Sequence, residues 1–188
     1  METKGAFVLR ENTGTLGIEL TLRTAVALLA DHGIPHLVAG GLAVQEYGYF
    51  RVTLAADIIV PDMLEAVEFL TADLSGPFQR YRGAEDTIED KRIGVLINFL
   101  PAGRAFRKAC KVPFPEPTQV SETPRFVSLG QLVSLKLDSW FNNQTRRLKD
   151  KADVVELIKT KQLPRDLAVA DAVRHLYTET WDALQAEQ

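Results

Sequence analysis

Val38-Ala39-Gly40-Gly41-Leu42-Ala43-Val44, then Gly48-Tyr49-Phe50-Arg51-Val52-Thr53-Leu54-Ala55-Ala56-Asp57-Ile58-Ile59-Val60, is the stretch that decides the architecture. Residues 36–39 form a short apolar strand that Gly40-Gly41 breaks, and residues 42–47 form a short helix that Gly48 ends. Residues 54–60 are a second strand with apolar side chains on both parities, the pattern of a strand covered on both faces. A tight turn is one reading of the Gly-Gly pair. The other is a ligand turn, because glycines let the backbone approach a bound group and the N–H groups of a helix start favour an anion. Asp57 sits inside the apolar run, where a carboxylate is costly unless it is paired, hydrated or metal-bound. A salt bridge to Arg51 or Lys136 would also explain it.

Outward from this segment the periodicity stays clear. Residues 16–32 carry Ile18, Leu22, Ala25, Val26 and Leu29 at helical spacing, with Gly33 and Pro35 to stop the helix. A further helix includes Met63, Ala66, Val67 and Leu70. Residues 87–89 and 95–100 read as strands joined by a polar turn. Residues 101–125 hold five of the nine prolines and form an irregular connection that a short strand at 126–128 closes. The rest is helical, over 129–140, 147–161 and 166–185. This order predicts an α/β (α+β) fold: a small mixed sheet flanked by helices, with a helical C-terminal portion. The 188 residues suit a single domain, with a core over about 16–128 and the helical portion over about 129–188.

Composition narrows the function classes. Hydrophobic residues make up 46% and charged residues 25%, with a formal net charge of −3. That balance argues against a broad nucleic-acid surface, though not against a small basic pocket. Cys110 is the single cysteine, so neither an internal disulfide nor a multi-cysteine zinc site is available. His32, His36 and His175 have no metal-ligand spacing. No signal peptide and no membrane-length apolar run stand out, and the expected location is cytoplasmic.

The order Gly-Gly, short helix, Gly-x-x-Arg-x-Thr and a strand carrying Asp57 resembles the minimal nucleotidyltransferases, including those of the abortive-infection toxin type. Residues 93–100 resemble the strand that carries that family's third carboxylate. Ser128-Leu129 with Leu132 and Leu135-Lys136-Leu137 resembles its lysine helix, and residues 147–154 its arginine–aspartate helix. The resemblance implies a nucleotidyltransferase fold. It implies nucleotide contacts at Gly40, Gly41, Arg51, Thr53, Lys136, Arg147 and Asp150, and a catalytic, metal-binding role for Asp57. The cofactor it implies for an active member is Mg2+ or Mn2+, two ions stabilising the attacking and leaving oxygens of an in-line attack on an α-phosphate.

The chain departs from that pattern at two places. Ala55 stands where the first metal-binding aspartate is expected, and Asn98 stands where the third carboxylate is expected. Asp57 with triphosphate and water could hold one ion, but not two close ones, unless Glu46, Asp86, Glu89 or Asp90 stands in. Three readings follow. The first is a homologue that binds a nucleoside triphosphate weakly and has weak or lost transfer, with magnesium or no metal at all. The second is a pseudoenzyme acting as an interaction module for a protein partner, of the toxin–antitoxin or defence kind. The third is an active transferase using Asp57. For Lys136 the alternative is a snorkelling helix lysine, and for residues 146–153 it is local pairing of Lys149 with Asp153 and Arg146 with Asp150. Trp140 and Trp181 read as packing residues.

Overall fold

The computed structural model describes residues 15–186. Helix α1 (Thr15–Asp31) precedes strand β1 (Leu37–Ala39) and helix α2 (Gly40–Glu46). Strand β2 (Ala55–Val60), helix α3 (Met63–Ala72), and strands β3 (Phe78–Arg80), β4 (Thr87–Asp90) and β5 (Leu96–Pro101) follow. Helices α4 (Leu129–Phe141), α5 (Leu148–Lys161) and α6 (Arg174–Ala186) complete the described chain, with one 3-10 turn at Asp171–Val173. The strands make one five-stranded sheet in the order β1-β2-β5-β4-β3. Strands β2 and β5 pair in parallel and the other pairs are antiparallel. This is the mixed sheet flanked by helices that the sequence pattern predicts.

Side-chain alternation divides the core between the two faces. Ala56, Ile58, Val60, Ile97 and Phe99 point to one face and bury against Leu22, Val26 and Leu29 of α1 and Ala66, Val67 and Leu70 of α3. Ile59 and Leu100 point to the other face, against Leu132, Val133 and Leu137 of α4 and Val154, Leu157 and Ile158 of α5. Both faces of β2 are thus covered, which is why its apolar residues do not alternate with polar ones. Asp57 and Asn98 share the parity of Ile59 and Leu100, so they face the C-terminal helices. Local chemistry fixes those helices. Ser128 and Gln131 form a reciprocal capping box at the start of α4, and Asp62 accepts the N–H groups of Leu64 and Glu65 at the start of α3.

Three expectations need correction. Strand β3 is absent from the sequence reading: it has three residues and buries only Phe78, too little for an alternation signal. The strand expected at 126–128 is a single parallel bridge between Val38 and Phe126. The helix expected over 166–185 begins at Arg174. The segment before it lies against α4 instead, with the Ala170 N–H donating to Ser134 Oγ at 2.9 Å. Arg174 holds that segment open by donating to the carbonyls of Leu167 and Val169 at 2.6 and 2.9 Å.

Candidate functional site

The sheet register sets one wall of a cleft. Ala39 pairs with Asp57 across β1 and β2, Asp57 with Asn98 across β2 and β5, and Asn98 with Thr87 across β5 and β4. Paired residues share a face, so these four side chains form a row across the sheet. The row is hydrogen-bonded: Thr87 Oγ1 donates to Asn98 Oδ1 at 3.2 Å, and Asn98 Nδ2 donates to Asp57 Oδ1 at 2.9 Å. Ala55, two residues from Asp57 on the same face, supplies only a methyl group.

Gly40 makes the turn above this row. It has φ +63°, the left-handed region, and a Cβ there would overlap the Asp57 carboxylate. Glycine is therefore required twice, for backbone conformation and for clearance. A Cβ at Gly41 would meet the Thr53 hydroxyl and crowd the Arg51 guanidinium. The two glycines thus let β1, α2 and the approach to β2 pack closely. The N-cap position Ala39 has no side chain to cap the first N–H groups of α2.

Helices α4 and α5 make the opposite wall. Lys136 is buried and donates to Asp150 at 2.7 Å and pairs with Asp153 at 2.8 Å. Arg51 grips Asp153 with Nε at 2.5 Å and Nη2 at 2.7 Å. Ser139 donates to Asp150 at 2.8 Å, and Arg147 stands 3.8 Å from the same carboxylate. These contacts replace the expected Lys149–Asp153 and Arg146–Asp150 pairs. Lys149 reaches the Val52 carbonyl at 3.4 Å instead. They also decide against a snorkelling Lys136, whose ammonium is buried between two carboxylates. Asp57 is bonded to neither Arg51 nor Lys136; its partner is the Asn98 amide.

Between the walls lies a cleft of about 470 Å³. The structure brings Gly40, Thr53, Asp57, Lys136, Arg147 and Asp150 to it, together with Ala55 and Asn98, while Gly41 and Arg51 lie outside its lining. Leu100, Phe106, Val112, Phe114, Leu132 and Leu135 give it an apolar side. Asp86, Asp138, Ser139 and Cys110 also line it, and no spacing along the chain singles out the last three. Asp138 accepts the N–H groups of Lys111 and Val112, each at 2.9 Å, and so anchors the proline-rich connection to α4.

Burial pushes the Asp57 carboxyl above the ordinary carboxylate range. The Asn98 hydrogen bond and the charges of Lys136 and Arg147 oppose the rise, and Asp150 adds to it. Burial and the nearby Asp138 likewise push the Cys110 thiol up.

The donor set does not fit a pair of divalent ions. Asp57 offers one carboxylate, Ala55 offers no side-chain oxygen, and Asn98 turns its amide nitrogen toward Asp57. Among the described residues no group of three or more His, Cys, Asp or Glu side chains is arranged to hold a metal. Of the possible substitutes, Asp86 reaches the cleft. Asp90 is held by Thr21 at 2.7 Å and by Arg92, and Glu89 accepts from Gln79 at 3.0 Å.

No family model and no curated protein matches the chain by sequence. Among solved structures it is similar to the antibiotic-resistance factor ANT(2'')-Ia in solution, with 15% identity and a TM-score of 0.52 over 93% of this chain and 98% of that one. A crystal structure of ANT(2'')-Ia in complex with adenylyl-2''-tobramycin gives 15% identity and a TM-score of 0.51, over 88% and 99%. The Thermotoga maritima CCA-adding enzyme complexed with tRNA gives 17% identity and a TM-score of 0.43, over 94% of this chain but 44% of the enzyme. At 15% identity the likeness to ANT(2'')-Ia concerns the path of the backbone, and on that ground this chain has the nucleotidyltransferase fold.

Proposed function

We propose that the cleft binds a nucleoside triphosphate weakly and that nucleotidyl transfer is lost or very slow. One observation carries the reading: Asn98 donates to Asp57 at 2.9 Å, so an amide hydrogen bond stands where the fold resemblance implies carboxylates facing a shared metal. A lone carboxylate already held by an amide, beside an alanine, offers too little negative charge to keep two cations together. The phosphate contacts proposed for Gly40 and Arg147 do not depend on that metal. Lys136 and Arg51 direct their charge to Asp150 and Asp153, so they support the wall and leave the triphosphate chiefly to Arg147 and the backbone of α2. That division of the cations accounts for weak affinity. The apolar side formed by Leu100, Phe106, Phe114 and Leu135 suits the base.

The test is calorimetry with ATP, GTP, CTP and UTP, with magnesium or with a chelator, and a labelled-nucleotide transfer assay. The expected result is millimolar binding that changes less than about twofold with magnesium, and no labelled product. Absence of both heat and thermal shift at millimolar nucleotide removes the binding claim. Magnesium-dependent transfer restores the active-transferase reading. The reading as an interaction module for a protein partner has a separate observation in its favour: Val52, Leu54 and Leu148 are exposed and lie next in sequence to residues of the cleft lining.

A further inference from the structure

The approach to β2 has two faces. Arg51 turns inward to Asp153, while Thr53 and Ala55 line the cleft. The alternate residues turn outward: Phe50 is 54% exposed, Val52 71% and Leu54 83%. The start of α5 lies against them, because Lys149 reaches the Val52 carbonyl at 3.4 Å, and the adjacent Leu148 is 64% exposed. Val52, Leu54 and Leu148 are thus exposed apolar side chains next in sequence to residues that line the cleft, with Phe50 two residues before Val52. Scattered surface leucines need no explanation, but a cluster bordered by charge is the composition of a contact surface.

The border has one sign. Between residues 142 and 151 the charged residues are Arg146, Arg147, Lys149, Lys151 and Asp150, and Asp150 is buried in its contacts with Lys136 and Ser139. The outward charge of this stretch is therefore positive, in a chain whose net charge is −3. Its position adds to the positive potential, which Asp150 in the same turn offsets in part. Arg146, Arg147 and Lys149 surround the first turn of α5, where the helix dipole already presents its positive end. Burial pushes the Lys149 ammonium below the ordinary lysine range; Arg51 and Lys136 add to the fall, and Asp153 and Asp150 oppose it. The exposed cations Arg146 and Lys149 are complemented by an anionic partner.

We infer that this rim, formed by Val52, Leu54, Leu148, Arg146 and Lys149, docks a segment of another protein in which acidic residues flank aliphatic ones. A nucleic-acid strand is the less suitable occupant. Val52, Leu54 and Leu148 are aliphatic and give bases no stacking platform, leaving Phe50 as the one aromatic ring among the four. Because Thr53, Ala55 and Arg147 belong to the cleft lining, a segment seated on this rim covers the cleft mouth.

The test uses the full chain and two fluorescent synthetic peptides, one alternating leucine and glutamate and one alternating leucine and lysine, read by polarisation. The acidic peptide is expected to bind at least tenfold more tightly than the basic one and to weaken as salt is raised. Leu54→Ser and Lys149→Glu are each expected to weaken it, and the double variant to lose at least tenfold. Val52→Thr serves as a second, milder variant, and the melting curve of each variant is compared with the parent's so that loss of fold is told from loss of contact. Equal affinity for the two peptides, or unchanged affinity in the double variant, overturns the proposal. It is also overturned if a single-stranded oligonucleotide binds more tightly than the acidic peptide and is the ligand the double variant loses. Sedimentation showing that parent chains self-associate through this face, and the double variant does not, assigns it to a second copy instead. None of these outcomes depends on nucleotide binding in the cleft, so this inference and the nucleotide reading fail separately.

Discussion

The two walls of the cleft handle charge in opposite ways. On the helical wall, Lys136, Arg51, Ser139 and Arg147 surround Asp150 and Asp153, so two buried carboxylates are met by cations and a hydroxyl. On the sheet wall, Asp57 has one neutral partner, and burial holds its carboxyl above the ordinary range. The helical network ties α4 and α5 to the approach to β2 across 102 residues of sequence, from Arg51 to Asp153. It is a structural element whether or not anything binds. The sheet wall has no such task, and there the expected metal ligands are replaced. A wall built on buried ion pairs is held by its own stability, whereas a wall with one carboxylate and a neutral partner is free to vary.

The largest expected effect breaks the helical wall. Asp153→Ala leaves Arg51 and Lys136 buried without one of their carboxylates, and chemical denaturation should show a loss of about 3–5 kcal/mol. A loss below about 1 kcal/mol would mean that water already screens the network, and the contrast between the walls would collapse. Next is Gly40→Ala, which forces an L side chain into the left-handed region and against Asp57. About 2–4 kcal/mol should be lost, and adding Asp57→Ala should recover part of it by removing the carboxylate the new methyl group meets.

Asn98→Asp sharpens the comparison from the sheet side. It exchanges a donor for a second carboxylate beside Asp57, and a loss of about 1–3 kcal/mol is expected without metal. Paired with Ala55→Asp, it should give a protein whose melting temperature rises with magnesium or manganese, since an ion that binds only the folded state stabilises it. No metal-dependent rise in the double variant would show that positions 55, 57 and 98 do not converge on one ion.

Asp57→Asn should have the smallest effect, and its sign depends on pH. The folded-state carboxyl lies above the ordinary value of 3.8. Between the two values the folded protein keeps a proton that the unfolded chain has released, so the parent loses stability as pH rises through that window and stays lower above it. The amide in the variant does not titrate there. Denaturation at a series of pH values should find the variant gaining on the parent from acid to neutral pH, and a constant difference would mean that Asp57 is not desolvated.

Much of this architecture is readable from the sequence. The helical spacing of Ile18, Leu22, Val26 and Leu29, the two-faced run at Ile58-Ile59-Val60 and the glycines that open α2 each reflect a local rule. The misplaced C-terminal helix has an identifiable cause: Leu167 and Val169 are two apart, a strand-like spacing, and Arg174 fills the carbonyls that a helix would use. The site divides along the same line. Asp57 inside an apolar run is a visible anomaly, and the place of Ala55 and Asn98 follows from resemblance. That Lys136 answers to Asp150 and Asp153, and Asp57 to Asn98, depends on how α4 and β5 pack, and no spacing along the chain encodes it.

Cys110 gives the cleft a built-in clock. It is the only thiol in the sequence and belongs to the cleft lining. Its raised pKa keeps the thiolate scarce at neutral pH, so alkylation by a small electrophile should be slow and should accelerate with pH. A single reactive position needs no background correction and no introduced label. Any compound that fills the space between the two walls shields that sulfur, and the half-time of alkylation then measures occupancy without a catalytic readout.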